Sequence, residues 1–173
     1  MNSEPLRVEV GQLNAPLAGA ISLRMSNESD MAFLLSVYAD SRSEEMLKIG
    51  HWNDTEKAEF LRFQFYAQDE HYKKHYPKAE FLIIKVEDED IGRLYVERTS
   101  KDIRVMDIAL LQPHRRRGIG CKLMTDLLDE AKHHQQTVSL HVEPDNVAKQ
   151  LYLKLGFSVV EEISFYEKME WSY

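Results

Sequence analysis

Residues 103–111 constrain the fold more than any other part of the chain. This segment reads IRVMDIALL and carries apolar residues at both odd and even positions, with Asp107 interrupting the apolar series. Because neighbouring side chains of a strand point to opposite faces, the pattern predicts a central strand that is covered on both sides. We expect Asp107 to share a face with Val105 and Ala109, where a carboxylate needs a hydrogen-bond partner or a place at a functional site.

The segments around this strand predict an α+β domain. Alternating apolar residues predict further strands, apolar residues at helical spacing predict helices, and polar residues broken by a proline predict a loop at 69–79. The order is β-α-α-β-β-β-α-β-α-β-β, which predicts a mixed, largely antiparallel sheet flanked by helices. Residues 1–20 carry two prolines, two glycines and little periodicity. We expect them to form a loose N-terminal arm, with a possible edge strand at 6–10, ahead of a single domain over 21–173.

The charge balance and the cysteine count limit the classes of partner. The chain has 22 Lys and Arg against 29 Asp and Glu, a formal net charge of −7, which argues against a nucleic-acid partner. Cys121 is the only cysteine, and the seven histidines show no spacing typical of a metal site, so no metal is predicted. Neither a signal peptide nor a membrane span is evident, which predicts a cytoplasmic protein without a membrane partner.

The stretch RRRGIG, residues 115–120, follows the central strand and opens a helix. The first N–H groups of a helix have no intrahelical acceptor, and the helix dipole adds partial positive charge there. Glycines let an anion approach the backbone closely, and arginine adds charge-assisted hydrogen bonds. The stretch fits neither the P-loop nor the Rossmann pattern. Taken alone, it indicates either a phosphate-binding turn or a helix start with solvated arginines.

Two parts of the sequence together resemble the GNAT superfamily of acyl-CoA-dependent N-acyltransferases. In DIALLQPHRRRGIGCKLM, the residues Arg115, Gly118 and Gly120 fill the signature Arg/Gln-x-x-Gly-x-Gly/Ala of that family. Further along, LHVEPDNVAKQLYLKLGF matches the Asn, Ala, Leu-Tyr and Leu-Gly-Phe positions of the family. The resemblance covers residues 21–170 by element order and is sharp over 103–157.

The resemblance implies a site for acetyl-CoA as the acyl donor. The backbone of Ile108, Ala109 and Leu110 would pair with the pantetheine arm, and the Leu110 N–H would polarise the thioester carbonyl. Asn146 would bond the same arm, although helix capping is an alternative role for it. The pyrophosphate would be wrapped by the residues of one turn, namely Arg115, Arg116, Arg117, Gly118, Ile119 and Gly120.

The implied reaction is direct attack of a neutral primary amine on the acetyl thioester, without a covalent enzyme intermediate. The Tyr152 hydroxyl would protonate the departing thiolate, and core packing is the alternative explanation for this residue. His141 is the first candidate for the general base, because it takes the place of a glutamate base in some family members and its ordinary pKa suits work near pH 7. Asp107 and Glu143 follow as candidates, acting through water.

The acceptor implied by the resemblance is a small-molecule, peptide or protein amine, and the protein would be a monomer or homodimer. The aromatic and basic segment HYKKHYP falls where the family builds its acceptor pocket, although a core edge with a solvated loop is the favoured explanation for it. A catalytically silent GNAT-like domain that binds acyl-CoA as a sensor or interaction module is the alternative. The candidates Tyr152, His141 and Asp107 favour the enzyme. A nucleic-acid-binding domain using Arg115 to Arg117 is disfavoured by the net charge and by glycines placed for a compact phosphate.

Overall fold

The computed structural model describes residues 19–173, and seven strands form one sheet in these residues. The strand order is β1-β2-β3-β4-β5-β7-β6, and every neighbouring pair is antiparallel except β4 and β5, which are parallel. This confirms the predicted mixed, largely antiparallel sheet. The strands are β1 Ile21–Met25, β2 Glu80–Val86, β3 Glu89–Arg98, β4 Asp102–Leu110, β5 Thr137–Val142, β6 Ser158–Ile163 and β7 Tyr166–Trp171.

Helices cover both faces of the sheet, as the order of the predicted elements implied. They are α1 Met31–Ser41, α2 Ser43–Lys48, α3 Asp54–His75, α4 Ile119–His134 and α5 Ala148–Lys154. One hydrophobic core lies between the sheet and α4 and α5, and a second core lies between the sheet and α1 to α3. We call these two sides of the sheet the α4 face and the α1 face. The predicted strand at 6–10 lies outside the described residues.

The prediction of a loop over 69–79 is wrong, because helix α3 continues to His75. The Tyr72 ring packs edge-on against the Tyr95 ring, with 6.1 Å between centroids, so this last part of the helix is held by a tertiary contact. The polar residues of 69–79 led to the prediction of a loop, because a contact with a distant strand is not visible in the local sequence. The helix ends just before Pro77, whose ring disfavours helical backbone in the residue that precedes it.

Strand β4 contains a bulge that reverses its alternation. Tyr95 of β3 pairs with Asp107, and the next residue of β3 pairs with Val105, so Met106 is an extra residue in β4. Val105 is buried in the core of the α4 face, whereas Asp107 is ion-paired with Arg93 on the α1 face. The expectation that Asp107 shares a face with Val105 is therefore wrong. A bulge inserts one residue and shifts every later side chain to the other face.

Candidate active site

Strands β4 and β5 pair only over their first residues. The paired segments are 102–105 of β4 and 137–140 of β5. Beyond them, β4 remains bonded to β3 on one side, but none of the described residues pairs with its other edge. The two strands therefore leave an opening between 106–110 of β4 and 141–142 of β5. We call this opening the β4–β5 wedge.

Backbone groups of β4 face into the wedge at alternate residues. The Leu111 N–H donates to the Ile91 carbonyl of β3 at 2.9 Å. Since successive backbone groups of a strand point to opposite edges, Leu110 and Ile108 direct theirs into the wedge, and Ala109 directs its own toward β3. Of the three residues predicted to pair with a ligand, Ile108 and Leu110 thus direct backbone groups into the wedge, and the Leu110 carbonyl there already accepts a hydrogen bond from the Arg115 Nε at 2.7 Å.

The turn 115–120 forms a cradle of backbone donors beside the wedge. Arg116 and Gly118 both have left-handed backbone, with φ of 60° and 81°. No side chain caps helix α4, and its first helical bond runs from Lys122 N to Gly118 O at 2.9 Å. The N–H groups of 119–121 therefore have no intrahelical acceptor. Such a helix start, next to alternating left-handed residues, is suited to an anion.

Open space lies in front of this turn. A Cβ added at Gly120 would meet no described atom within 4 Å. The side chains of Arg116 and Arg117 are exposed, so they carry positive charge at the edge of the cradle. The geometry thus provides both the donors and the room that a phosphate group needs.

Two of the predicted ligand-binding side chains are engaged within the protein. The Arg115 side chain donates from Nε to the Leu110 carbonyl at 2.7 Å and from Nη2 to the Asp40 carboxylate at 2.5 Å. It therefore ties the turn to β4 and α1, and the Arg115 N–H is also engaged, because it donates to the Gln112 carbonyl at 3.2 Å. Asn146 is exposed, and its Oδ1 accepts the Ala148 N–H at 2.9 Å at the start of α5, which is the capping role.

Asp107 is fixed by a buried arginine that the sequence reasoning missed. Arg93 is 2% exposed and forms an ion pair with Asp107, whose side chain is 20% exposed. The Arg93 Nη2 also donates to Gln68 Oε1 at 3.1 Å, and its guanidinium lies 5.0 Å from the Tyr95 ring centroid. Its Nε and Nη1 are buried without a hydrogen-bond partner among residues 19–173. The available signal was a charged residue inside the apolar run IGRLYV, next to a strand with its own charged interruption.

Tyr152 lies on α5, is 6% exposed and packs on Phe157, with 5.8 Å between the ring centroids. Burial, and secondarily the negative charge of Asp107, raises the pKa of Tyr152 to about 12. The phenol therefore keeps its proton at neutral pH and is able to donate it. Tyr152 belongs to the core of the α4 face, whereas Asp107 lies on the α1 face. Core packing and acid function are compatible for this residue.

His141 is exposed on β5, beside the wedge and opposite Lys168 of β7. Its neighbours Leu140 and Val142 are buried in the core of the α4 face, so His141 points to the α1 face, as the alternation predicted. Partial burial, followed by the positive charges of Arg104 and Lys168, lowers the pKa of His141. A lowered pKa keeps the imidazole neutral near pH 7, which is the form that accepts a proton.

Glu143 follows β5 and is half-buried. Its charge acts on Arg42, the residue between α1 and α2, so it belongs to the rim between the helices and the wedge. The structure thus places all three candidate bases around one opening: Asp107 on β4, His141 on β5 and Glu143 just after β5. Within residues 19–173, no three His, Cys, Asp or Glu side chains cluster as a metal site, and no helix has the length and apolarity to cross a membrane.

Solved structures of acetyltransferases share this fold. The PaiA N-acetyltransferase of Thermoplasma acidophilum, in complex with coenzyme A, superposes with a TM-score of 0.65 at 18% identity, covering 89% of this chain and 99% of its own. A GNAT family acetyltransferase of Elizabethkingia anophelis with acetyl-CoA bound gives 0.56 at 14% identity, covering 88% and 98%. Arabidopsis thaliana Naa50, in complex with the bisubstrate analogue CoA-Ac-MVNAL, gives 0.57 at 18% identity, covering 88% and 99%.

No curated protein sequence matches this chain at a significant level. The family model described as the acetyltransferase (GNAT) family matches residues 46–157, which is more than half of the chain. The matched region contains α3, the central strands, the 115–120 turn and helix α5 with Tyr152. The chain therefore belongs to the GNAT acetyltransferase family.

Proposed function

We propose that this protein is an acetyl-CoA-dependent N-acetyltransferase that transfers an acetyl group to a primary amine by direct attack in a ternary complex. The observation that carries the proposal is the β4–β5 wedge, with the uncapped start of helix α4 after it in the chain and the Arg93–Asp107 ion pair on β4. Tyr152, whose raised pKa keeps its proton in place, is the candidate acid. The relatives solved with coenzyme A or acetyl-CoA support a coenzyme of this class.

The residues around the wedge fit acetyl-CoA. The Ile108 and Leu110 backbone groups would pair with the amides of the pantetheine arm, and the backbone of 115–120 would bind the pyrophosphate. The open space at Gly120 leaves room for those phosphates. The Asn146 side chain would bond to the pantetheine arm only if its Oδ1 gave up the hydrogen bond that it accepts from the Ala148 N–H. When bound, acetyl-CoA supplies the activated acetyl thioester.

The protein residues would then stabilise the charge that develops on the carbonyl oxygen and transfer protons to and from the reacting groups. The amine nitrogen attacks the carbonyl carbon, so a C–N bond forms and the C–S bond breaks. The Leu110 N–H, which faces the wedge, would stabilise the negative charge on the carbonyl oxygen. Tyr152 would give its proton to the thiolate, and His141 would take the proton that the amine loses, with Asp107 and Glu143 as the next candidates.

The acceptor is proposed to be a small-molecule, peptide or protein amine that enters from the α1 face. The Naa50 complex with the bisubstrate analogue CoA-Ac-MVNAL supports an amine acceptor for this fold. We propose a cytoplasmic monomer or homodimer with neither a nucleic-acid partner nor a bound metal. The net charge of −7 is consistent with a protein that does not bind polyanions generally.

Two measurements test the proposal. Titration calorimetry with acetyl-CoA is expected to show saturable binding, and the absence of heat over a wide concentration range would overturn the coenzyme assignment. Thiol release is then followed against a panel of amines, with and without basic peptides. Turnover that depends on the amine supports the transferase. Binding without turnover on any amine would instead identify a silent acyl-CoA-binding sensor or interaction module.

A further inference from the structure

Arg104 is a half-buried arginine without a carboxylate partner. Within residues 19–173, no Asp or Glu oxygen lies within 4 Å of its guanidinium. Its Nη1 donates to the Tyr76 hydroxyl at a long 3.4 Å, and its Cζ lies 5.8 Å from the centroid of that ring. None of the Arg104 nitrogen atoms is buried without a hydrogen-bond partner, in contrast to Nε and Nη1 of Arg93. Five other arginines of the described residues have such partners: Arg24, Arg42, Arg93, Arg98 and Arg115.

The described carboxylates that share the α1 face with Arg104 either bond to other groups or make no ion pair with it. Asp102 accepts hydrogen bonds from two hydroxyls of β5, and Asp107 is ion-paired with an arginine of β3. Glu170 contacts a lysine of its own strand at 3.7 Å. Glu97 pairs with Arg104 in the β3–β4 register, yet it makes no ion pair within 4 Å. Within residues 19–173, the Arg104 guanidinium therefore has no ion-pair partner and is available to a carboxylate of a ligand.

Arg104 also faces the acceptor side of the wedge. It pairs with Ser139 of β5, two residues before His141, and its charge acts on the His141 imidazole together with that of Lys168. Glu161 acts on the same imidazole in the opposite sense. Arginine binds carboxylates through two parallel N–H groups, and the contact of Arg104 with the Tyr76 ring and hydroxyl restricts where its guanidinium lies.

We propose that Arg104 binds a carboxylate of the acceptor, so that the preferred acceptor is an amine carrying a carboxylate several bonds from its nitrogen. This inference rests on the proposed function and names its substrate class. His141, the first candidate for the base, lies two residues beyond Ser139, the β5 residue that pairs with Arg104, so the two backbones are about 8 Å apart. An α-amino acid is too short to span this interval, whereas an extended chain of five methylene groups matches it. The structure thus favours ω-amino carboxylates and lysine-like acceptors with a free carboxylate.

Binding is tested first with hexanoate, which has the carboxylate but no amine. The readout is the NMR titration of the His141 imidazole, assigned with a His141→Gln variant. A carboxylate bound at Arg104 neutralises a nearby positive charge and therefore raises the His141 titration midpoint. Arg104→Met keeps the aliphatic stem on Tyr76, removes the charge and is expected to weaken hexanoate binding by about 10- to 100-fold. Arg62→Met is the matched control, because Arg62 is exposed on α3 and the change in net charge is the same.

Turnover is tested with 6-aminohexanoate against hexylamine at constant ionic strength. Wild type is expected to prefer 6-aminohexanoate by about 10-fold or more in kcat/KM, mainly through KM, and Arg104→Met is expected to remove the preference. Arg62→Met should keep it. Equal use of both amines, or a preference that survives Arg104→Met in a folded variant, would overturn the carboxylate subsite while leaving the transferase intact.

The two proposals fail differently. An absence of acetyl-CoA binding would overturn the proposed function, and the hexanoate titration would still decide whether Arg104 binds a carboxylate. A His141 midpoint that does not move with hexanoate in wild type, or that moves equally in Arg104→Met, would overturn the subsite whatever the activity. Melting curves of both methionine variants show whether each one is folded before either result is interpreted.

Discussion

Removal of one partner of the Arg93–Asp107 ion pair is expected to destabilise the protein, whereas replacement of both partners by apolar side chains should cost less than the two single changes together. Asp107→Leu leaves a guanidinium that is 2% exposed without its carboxylate, and two of its nitrogen atoms already lack partners. We expect this variant to lose about 3–5 kcal/mol of unfolding free energy, the usual effect of an uncompensated buried charge. Arg93→Met leaves a carboxylate that is 20% exposed and can be partly hydrated, so we expect a smaller loss of about 1–3 kcal/mol.

The double variant, Arg93→Met with Asp107→Leu, tests whether the two single effects on the unfolding free energy are coupled. Two apolar side chains of similar size in place of a buried pair remove both desolvation penalties together. We therefore expect the double variant to be more stable than the sum of the single effects predicts, with a coupling free energy of about 2 kcal/mol. The assay is urea unfolding followed by circular dichroism and by tryptophan fluorescence, with unchanged slopes in urea as the control for two-state behaviour.

Additive single effects, to within about 0.5 kcal/mol, would refute this reasoning. The burial of Arg93 would then derive from its contacts with the Tyr38 and Tyr95 rings and not from Asp107. The double variant also separates stability from chemistry. If Asp107 acts in the reaction, the variant regains stability but not acetyl transfer.

Three further predictions concern the coenzyme turn and the proton-transfer groups. Gly120→Leu should fold as well as wild type, because no described atom lies within 4 Å of an added Cβ, but should weaken acetyl-CoA binding by about 10-fold or more in calorimetry. Gly120→Ala is its control and should bind normally, since the signature permits alanine. Tyr152→Phe should lower kcat by about 10- to 10³-fold with little change in coenzyme affinity, and an unchanged kcat removes Tyr152 from the mechanism. The NMR titration midpoint of His141 should lie below 6.5 and rise in Arg104→Met, because one positive charge that lowers its pKa is removed; a midpoint at or above 6.5 contradicts this account. Since the unfolded state then binds more protons, the His141 contribution to stability falls as the pH drops through 6.5.

The sequence predicted most of the elements and their order, because these depend on local periodicity, but it missed the short helix α2. The central strand, the glycine turn and helix α4 all occur where the residue pattern placed them. The extension of α3 was missed because a contact between Tyr72 and Tyr95, distant in sequence, holds residues that look like a loop. The bulge at Met106 was missed for a related reason: an inserted residue leaves the composition of the strand unchanged, and only the register with β3 reveals it.

The candidate site divides into a part that a motif can identify and a part that it cannot. The proposed coenzyme side consists of backbone groups of β4 and the 115–120 turn, so it needs glycines and a free strand edge but few particular side chains. Relatives at 14–18% identity accordingly retain the fold.

The acceptor side is built from side chains that the bulge and the neighbouring helices bring together, and backbone hydrogen bonding does not restrict their identity. Met106 shifts Asp107 onto the α1 face, where Arg93 holds it, and Arg104 lies on that face without a carboxylate of its own. Acceptor preference is therefore expected to follow Arg104 and its neighbours, whereas coenzyme binding follows the turn. Substitutions at Arg104 should change which amine is used and leave acetyl-CoA affinity unchanged.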